Sequence, residues 1–283
     1  MKFRNKLKNY KLDIDFEKLT EISKNAALIG SDILTKNYKN IQNIACKGRK
    51  GDLVTNVDLE IEKKIKDFLI NESSDISILA EESGLVDRSN DLFWCIDPLD
   101  GTTNYSHGYP FFGTSIGLVY KNTPILGSIS VPYFDELYWG CLDRGSFCNG
   151  RKLNVSTPKN LNESLLVTGF AYDRFEVKDN NYAEFCWLTH KTRGVRRGGA
   201  AAVDLAFVAS GKVDGFWERG LEKWDLAAGS IIVNEAGGSV SDYPEGDFDL
   251  STGRILSCSP SIEQELKIEL SKVKPFNPQL YTD

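Results

Sequence analysis

A layered α/β (α+β) fold, with sheets covered by helices, is the class this sequence predicts. Three observations predict it. Apolar residues near the start recur at helical spacing, a central stretch breaks into strand-like runs, and the second half alternates strands with helices. The 283 residues are 41% hydrophobic, 26% charged and 11% aromatic. Such a chain can bury a large core; it is too charged for an integral membrane protein and too apolar for a disordered one. No apolar run approaches the roughly 20 residues of a membrane span. The basic start, MKFRNKLKNYKLDIDFEKL, lacks the apolar core of a secretory signal, so a cytoplasmic protein is expected.

After Asp15, Leu19, Ile22, Ala26, Ile29 and Ile33 alternate steps of three and four, which puts them on one helix face. An extended stretch ends in Gly51-Asp52-Leu53-Val54-Thr55-Asn56-Val57-Asp58. The next helix carries Ile61, Ile65 and Phe68 on one side. A strand over 76–80 ends at Glu81-Glu82-Ser83-Gly84, and another over 92–96 ends at Asp97. Runs from Phe111 to Tyr120, Ile125 to Val131 and Glu136 to Leu142 are separated by turn residues, which predicts an antiparallel meander. Next come a strand near 164–169, a helix near 181–191, a strand near 193–197 and a helix from about 199 to Gly211. A strand near 213–218 precedes an almost wholly apolar helix from Asp225 to Ala236, closed by Gly237-Gly238. After a strand at 255–258, Ser259 as N-cap and Pro260 at the first helical position predict the final helix. No linker or repeat divides the chain. It reads as one unit over 1–283, with subregions of about 1–155 and 156–283.

Net charge is −6, so a chain-wide basic footprint for nucleic acid is absent, and pairs such as Arg196-Arg197 read as solvated surface. The six cysteines form no C-x-x-C pair and read as reduced thiols. With only His107 and His190 available, any metal site must rest mainly on oxygen ligands, which favours magnesium, calcium or manganese over zinc.

The segment Trp94-Cys95-Ile96-Asp97-Pro98-Leu99-Asp100-Gly101-Thr102-Thr103-Asn104 carries the chemistry. An apolar strand delivers Asp97 at its carboxyl end, where open α/β sheets place ligands. Asp100 follows three residues later, so one turn can aim both carboxylates at a common point. Gly101 permits close approach, and the N–H groups of Gly101 and Thr102 at a helix start suit an anion. An Asx-turn with a helix cap would use the same residues without chemistry. Glu81 at the preceding strand end and Asp225 after Trp224 tip the balance. Carboxylates brought together repel, and divalent cations relieve that repulsion. Asp225 also suits the helix dipole, and Thr55-x-x-Asp58 also fits a capping box.

The runs GDLVTNVD, AEESG, WCIDPLDGTTN, GGAAAVD and WERGLEKWDLAAGSIIVNEAGG resemble the inositol monophosphatase family in order and spacing, from about residue 16 to 260. The resemblance implies a magnesium-dependent, lithium-sensitive phosphomonoesterase with a layered αβαβα sandwich related to fructose-1,6-bisphosphatase, active as a homodimer. It implies that Glu81, Asp97 and the Leu99 carbonyl hold a first metal, and that Asp97, Asp100 and Asp225 hold a second. Glu81 and Thr102 match the pair that positions and deprotonates the attacking water. Asp58 matches the residue that orients the threonine and, in some members, a further metal, so two or three Mg2+ are implied, with Mn2+ as substitute and Li+ as inhibitor. Gly101 and Thr102 match phosphate-binding amides; Gly199, Ala200, Ala201 and Glu218 match contacts to the alcohol. Many members carry Ser or Thr where Ala200 stands, which leaves the alcohol open.

Inositol 1-phosphate is the leading substrate. Fructose 1,6-bisphosphate, histidinol phosphate and 3′-phosphoadenosine nucleotides are alternatives, and a binding role in the transcription machinery is the alternative of another class. Two other hydrolase chemistries fit poorly. A phosphoaspartyl enzyme needs aspartates two residues apart, but Pro98 stands two before Asp100. Gly113-Thr114-Ser115-Ile116-Gly117 matches a nucleophile elbow, yet lies in one continuous strand pattern.

Overall fold

The computed structural model describes residues 2–8, 14–40, 44–46, 53–88 and 91–275. Gly51 and Asp52 of the expected extended stretch lie outside them. In chain order the elements are α1 (Lys2–Lys6), α2 (Phe16–Asn37), β1 (Ile44–Cys46), β2 (Leu53–Thr55), α3 (Asn56–Glu72), β3 (Ser77–Ala80), β4 (Gly84–Val86), β5 (Leu92–Asp100) and α4 (Thr102–Ser106). Strands β6 (Gly113–Tyr120), β7 (Thr123–Val131), β8 (Glu136–Cys141), β9 (Gly145–Cys148) and β10 (Arg151–Lys152) follow. The second half comprises β11 (Leu165–Thr168), α5 (Tyr182–Lys191), β12 (Gly194–Arg197), α6 (Ala201–Ala209), β13 (Gly215–Glu218), α7 (Lys223–Glu235), β14 (Ser239–Ser241), β15 (Ile255–Cys258) and α8 (Glu263–Ser271).

The larger sheet has eight strands in the order β10-β9-β8-β7-β6-β5-β3-β4. The expected meander is its centre, β6 to β8, all antiparallel. The smaller sheet has five strands, β12-β11-β13-β15-β14, with β11 parallel to both neighbours and β15 antiparallel to both of its own. Helices α2 and α3 cover the outer face of the large sheet, α6 and α7 lie between the sheets, and α5 and α8 cover the outer face of the small one. The result is five layers, αβαβα.

Burial follows the sequence pattern. Asp15 caps α2 by accepting from the Lys18 N–H at 3.0 Å, and Leu19, Ile22 and Ala26 are buried. Helix α7 lies unusually close to the large sheet. A Cβ at Gly117 would stand 2.5 Å from the Ala227 Cβ, and one at Gly127 would stand 2.4 Å from the Ala228 Cα. Glycine on the strands and alanine on the helix are therefore a matched pair, and any larger side chain would force the layers apart. That approach carries the first turn of α7, with Asp225, to the strand ends of the other layer.

Two expectations are corrected. The strand that was to end at Asp97 continues to Asp100, through a register shift between these residues. It is held there by the Thr114 hydroxyl, which donates to the Pro98 carbonyl at 2.9 Å. Ser259 and Pro260 do not open the final helix. The Ile262 N–H bonds the Ser259 carbonyl in a turn, and α8 starts at Glu263. Ser115 lies inside β6, with no elbow. Among the described residues the six cysteines form no disulfide. Among the described residues no helix is long and apolar enough to cross a membrane.

Candidate active site

The ends of β3, β5 and β13 and the starts of α4, α6 and α7 open onto one cavity of about 830 Å³. Glu81, Asp97, Leu99, Asp100, Gly101, Thr102, Gly199, Ala200, Ala201, Glu218 and Asp225 all line it. Asp58 does not. It is fully buried one layer behind, in the first turn of α3.

Asp97, Asp100 and Asp225 each accept a hydrogen bond from a backbone N–H. Asp97 Oδ1 accepts from the Leu99 N–H at 3.0 Å, the Asx-turn the sequence allowed. Asp100 Oδ2 accepts from the Val203 N–H at 3.1 Å, at the start of α6. Asp225 Oδ2 accepts from the Glu222 N–H at 2.8 Å, completing a capping box at the start of α7. The Thr55–Asp58 capping box is present as well. The structural and chemical readings of these acids thus coexist: one oxygen of Asp58, Asp100 or Asp225 braces the backbone. At Asp58 the brace is a 2.9 Å bond from the Thr55 N–H, and its other oxygen lies 3.1 Å from the Thr102 hydroxyl. That hydroxyl also reaches the Leu99 carbonyl at 3.0 Å.

Burial sets the electrostatics, and crowding adds to it. Burial, then the charges of Glu81, Asp100 and Asp225, hold the Asp97 carboxyl well above the usual carboxylate range. Burial pushes Asp100 up to about 7 against the opposing pull of the Val203, Ala202 and Ala201 amides. Asp225 keeps some surface on the cavity, yet enclosure by the walls pushes it up to about 7 as well. Burial also raises Asp58, while its bonds from Thr55 and Thr102 oppose the shift. No ion pair among the described residues joins a lysine or arginine to Asp97, Asp100 or Asp225. A hard dication is the partner this donor set fits: oxygen only, mostly anionic, and without a cation of its own. Among the described residues no three His, Cys, Asp or Glu side chains already close into a cage. Side-chain hydrogen bonding links Asp97 with Glu81 and with Asp225, and magnesium completes its shell with waters and phosphate oxygens, not with protein ligands alone.

The side of β13 and α6 carries two acids. Glu218, at the end of β13, is pushed up to about 8 by burial, with Arg197 opposing. Asp204 closes the GGAAAVD run, whose spacing assigns it no role. It is buried in α6, with one oxygen lacking a hydrogen-bond partner among the described residues. Its carboxyl fills the space where a Cβ on Gly198 would lie, 2.1 Å from Oδ1. Burial, Glu218 and Asp100 raise it, and Arg197 opposes. A lone acid inside an apolar helix was the available signal, the same one that marked Asp225. The loop itself is tied down by Asn104, whose Nδ2 donates to the Phe111 and Gly198 carbonyls at 2.7 and 3.0 Å.

The fold and the acid-lined cavity define a class, the layered metal-dependent phosphatases. The chain matches the inositol monophosphatase family over residues 15–274. A Synechocystis protein named inositol-1-monophosphatase is 48% identical over 258 residues, covering 91% of this chain and 90% of that protein. A Pseudomonas aeruginosa protein named Nus factor SuhB is 36% identical, covering 92% of this chain and 97% of that one. The structure of an inositol monophosphatase from an Anabaena (Nostoc) species superposes with a TM-score of 0.85 at 44% identity, covering 93% of this chain and 99% of that chain. The chain belongs to the inositol monophosphatase family and is a phosphoric monoester hydrolase.

Proposed function

We propose that this chain is a magnesium-dependent inositol-1-phosphate phosphatase that uses water as its nucleophile. One observation carries the reading: Glu81, Asp97, Asp100 and Asp225, far apart in sequence, line one cavity together with Thr102 and the start of α4. Phosphate-monoester hydrolysis is among the slowest uncatalysed reactions known, and charge neutralisation with positioning is what it requires.

Glu81, Asp97 and the Leu99 carbonyl would hold one magnesium, and Asp97, Asp100 and Asp225 a second. Bound there, the ions would acidify water and neutralise phosphate charge. The chain's own residues do the rest. Asp58 anchors the Thr102 hydroxyl, and Thr102 with Glu81 orients the attacking water and takes its proton. The Gly101 and Thr102 amides bind phosphate oxygens. The start of α6, Gly199 to Ala201, and Glu218 receive the alcohol. Ala200 supplies no hydroxyl, so the polyol contact there falls to backbone and to Glu218. Manganese substitutes for magnesium, lithium inhibits, and the working form is a homodimer.

The 48% identity to a protein named inositol-1-monophosphatase supports this substrate over other sugar and nucleotide phosphates. Phosphate release from a panel of phosphate monoesters, with and without magnesium, tests it. Inositol 1-phosphate should be turned over fastest, only with the metal, and Asp97→Asn should abolish most of that turnover. Metal-independent release, or near-normal turnover by Asp97→Asn, would refute the mechanism. A preference for fructose 1,6-bisphosphate, histidinol phosphate or 3′-phosphoadenosine nucleotides would change the substrate alone.

A further inference from the structure

We propose that helix α1 is a strap that positions one wall of the catalytic cavity, acting through Phe248 and the loop 249–253. The strap lies outside the family match, which begins at residue 15. A helix of five residues is marginal on its own unless something ties it down. Here Phe3 and Leu7 are 1% and 2% exposed. The Phe3 ring lies 5.6 Å from that of Phe248, and the Lys6 ammonium donates to the Phe248 carbonyl. Arg4 pairs with Asp143 at 3.2 Å on the other side.

From Phe248 the contacts run without a break to the active site. Asp249 Oδ1 accepts from the Ser251 N–H at 2.9 Å, from the Ser251 hydroxyl at 2.7 Å and from Asn122 Nδ2 at 2.7 Å. Ser251, Thr252 and Gly253 line the cavity. The Gly253 carbonyl accepts from the Leu221 N–H at 3.0 Å, and the next residue, Glu222, holds Asp225. Phe3 and Leu7 belong to the main hydrophobic core, and α1 also packs on β7 and α7. A cleft of about 300 Å³ separates its other side from Val240 and Asp247. The helix is thus anchored through its apolar face and reaches the wall through Phe248. Phe3, Lys6 and Phe248 are positioning residues: they touch the wall, not the reacting atoms.

The test removes residues 2–8, with Phe3→Ala and Phe248→Ala as milder variants. Two readings are taken. The first is amide hydrogen exchange in 249–253 and 220–222, without metal or substrate. The second is KM and kcat for the best phosphate monoester, and only this arm rests on the proposed function. Exchange in 249–253 should quicken while α2 and the large sheet stay protected. KM should rise roughly three- to tenfold with kcat changed by less than about twofold, since a cavity wall away from the reacting atoms contributes uniform binding. A lowered melting temperature with KM and loop exchange unchanged would overturn the proposal, leaving α1 a brace only. Exchange that quickens evenly across the chain would overturn it too. If the truncated protein fails to fold, Phe3→Ala decides by the same two readings. An unaltered protein with no turnover refutes the phosphatase reading and leaves the exchange arm intact.

Discussion

Asp100 Oδ2 and the Val203 N–H, 103 residues apart in sequence, share a 3.1 Å hydrogen bond. Ala200 stands at the N-cap of α6 and has no side-chain acceptor, so a carboxylate from β5 serves the helix start instead. One residue thus ties the large sheet to helix α6 and lines the cavity. Asp100→Asn keeps an acceptor oxygen at the cap, whereas Asp100→Ala does not. Both should lose turnover. Because both remove the same charge, their difference isolates the cap, and Asn should be more stable than Ala by about 0.5–2 kcal/mol in urea unfolding. Equal stabilities would mean that Asp100 braces nothing.

Thr102 lies between Asp58 at 3.1 Å and the Leu99 carbonyl at 3.0 Å. Its hydroxyl has one proton to donate, so Asp58 sets where the oxygen's lone pairs point. Thr102→Ser keeps that hydroxyl and should stay within about tenfold of normal kcat. Thr102→Ala should lose on the order of 10²–10⁴-fold, the scale of positioned proton transfer. Single-turnover phosphate release distinguishes them. An active alanine variant would remove Thr102 from the water-activating pair.

Glu218 gives a pH test at a residue that is not itself a proposed metal ligand, although the charges of Asp225 and Asp100 add to its shift. Burial raises its pKa to about 8, with Arg197 opposing. In the unfolded chain the residue titrates near 4.3. The folded state therefore binds the extra proton, and the contribution to stability is present in full below about pH 4. It is lost as pH rises through about 8. Glu218→Gln has no proton to lose. Its stability relative to the unaltered protein should improve from pH 5 to pH 8.5 by about 1–3 kcal/mol, since a full pKa unit is worth about 1.4 kcal/mol. Denaturant melts at the two pH values check the sign; a difference that does not change with pH refutes it.

What the sequence made legible was local. The period of Leu19, Ile22 and Ala26 located α2, and alternating strand runs located β6 to β8. The residues expected at the site reach it, apart from Asp58, which stands behind Thr102. Less was legible where tertiary contacts overrule local signals. Ser259-Pro260 carries a helix-start signature, yet the turn that buries Ile262 delays the helix to Glu263. The Thr114 bond to Pro98 keeps β5 going past Asp97. Asp204 was passed over because its neighbours are Gly198 and Glu218, and neither proximity is written in the spacing of residues.

The last prediction concerns magnesium and protons together. Burial and crowding hold Asp100 and Asp225 at about 7 in the metal-free protein. Unfolded, both titrate near 3.9. Their folded pKa values are raised, so their contribution to stability is greatest below about pH 4 and is lost as pH climbs through about 7. A dication binds the ionised carboxylates and therefore competes with protons. Added magnesium should raise the melting temperature little at pH 5.5 and strongly at pH 8. At a hundredfold excess over Kd, the gain at the higher pH corresponds to about 2.7 kcal/mol. Near neutral pH, binding should release protons, seen in calorimetry as a heat that scales with the ionisation enthalpy of the buffer. Chelation should reverse the stabilisation. A gain equal at both pH values would show that the ion does not engage these two acids, and the proposed second metal position would fall with it.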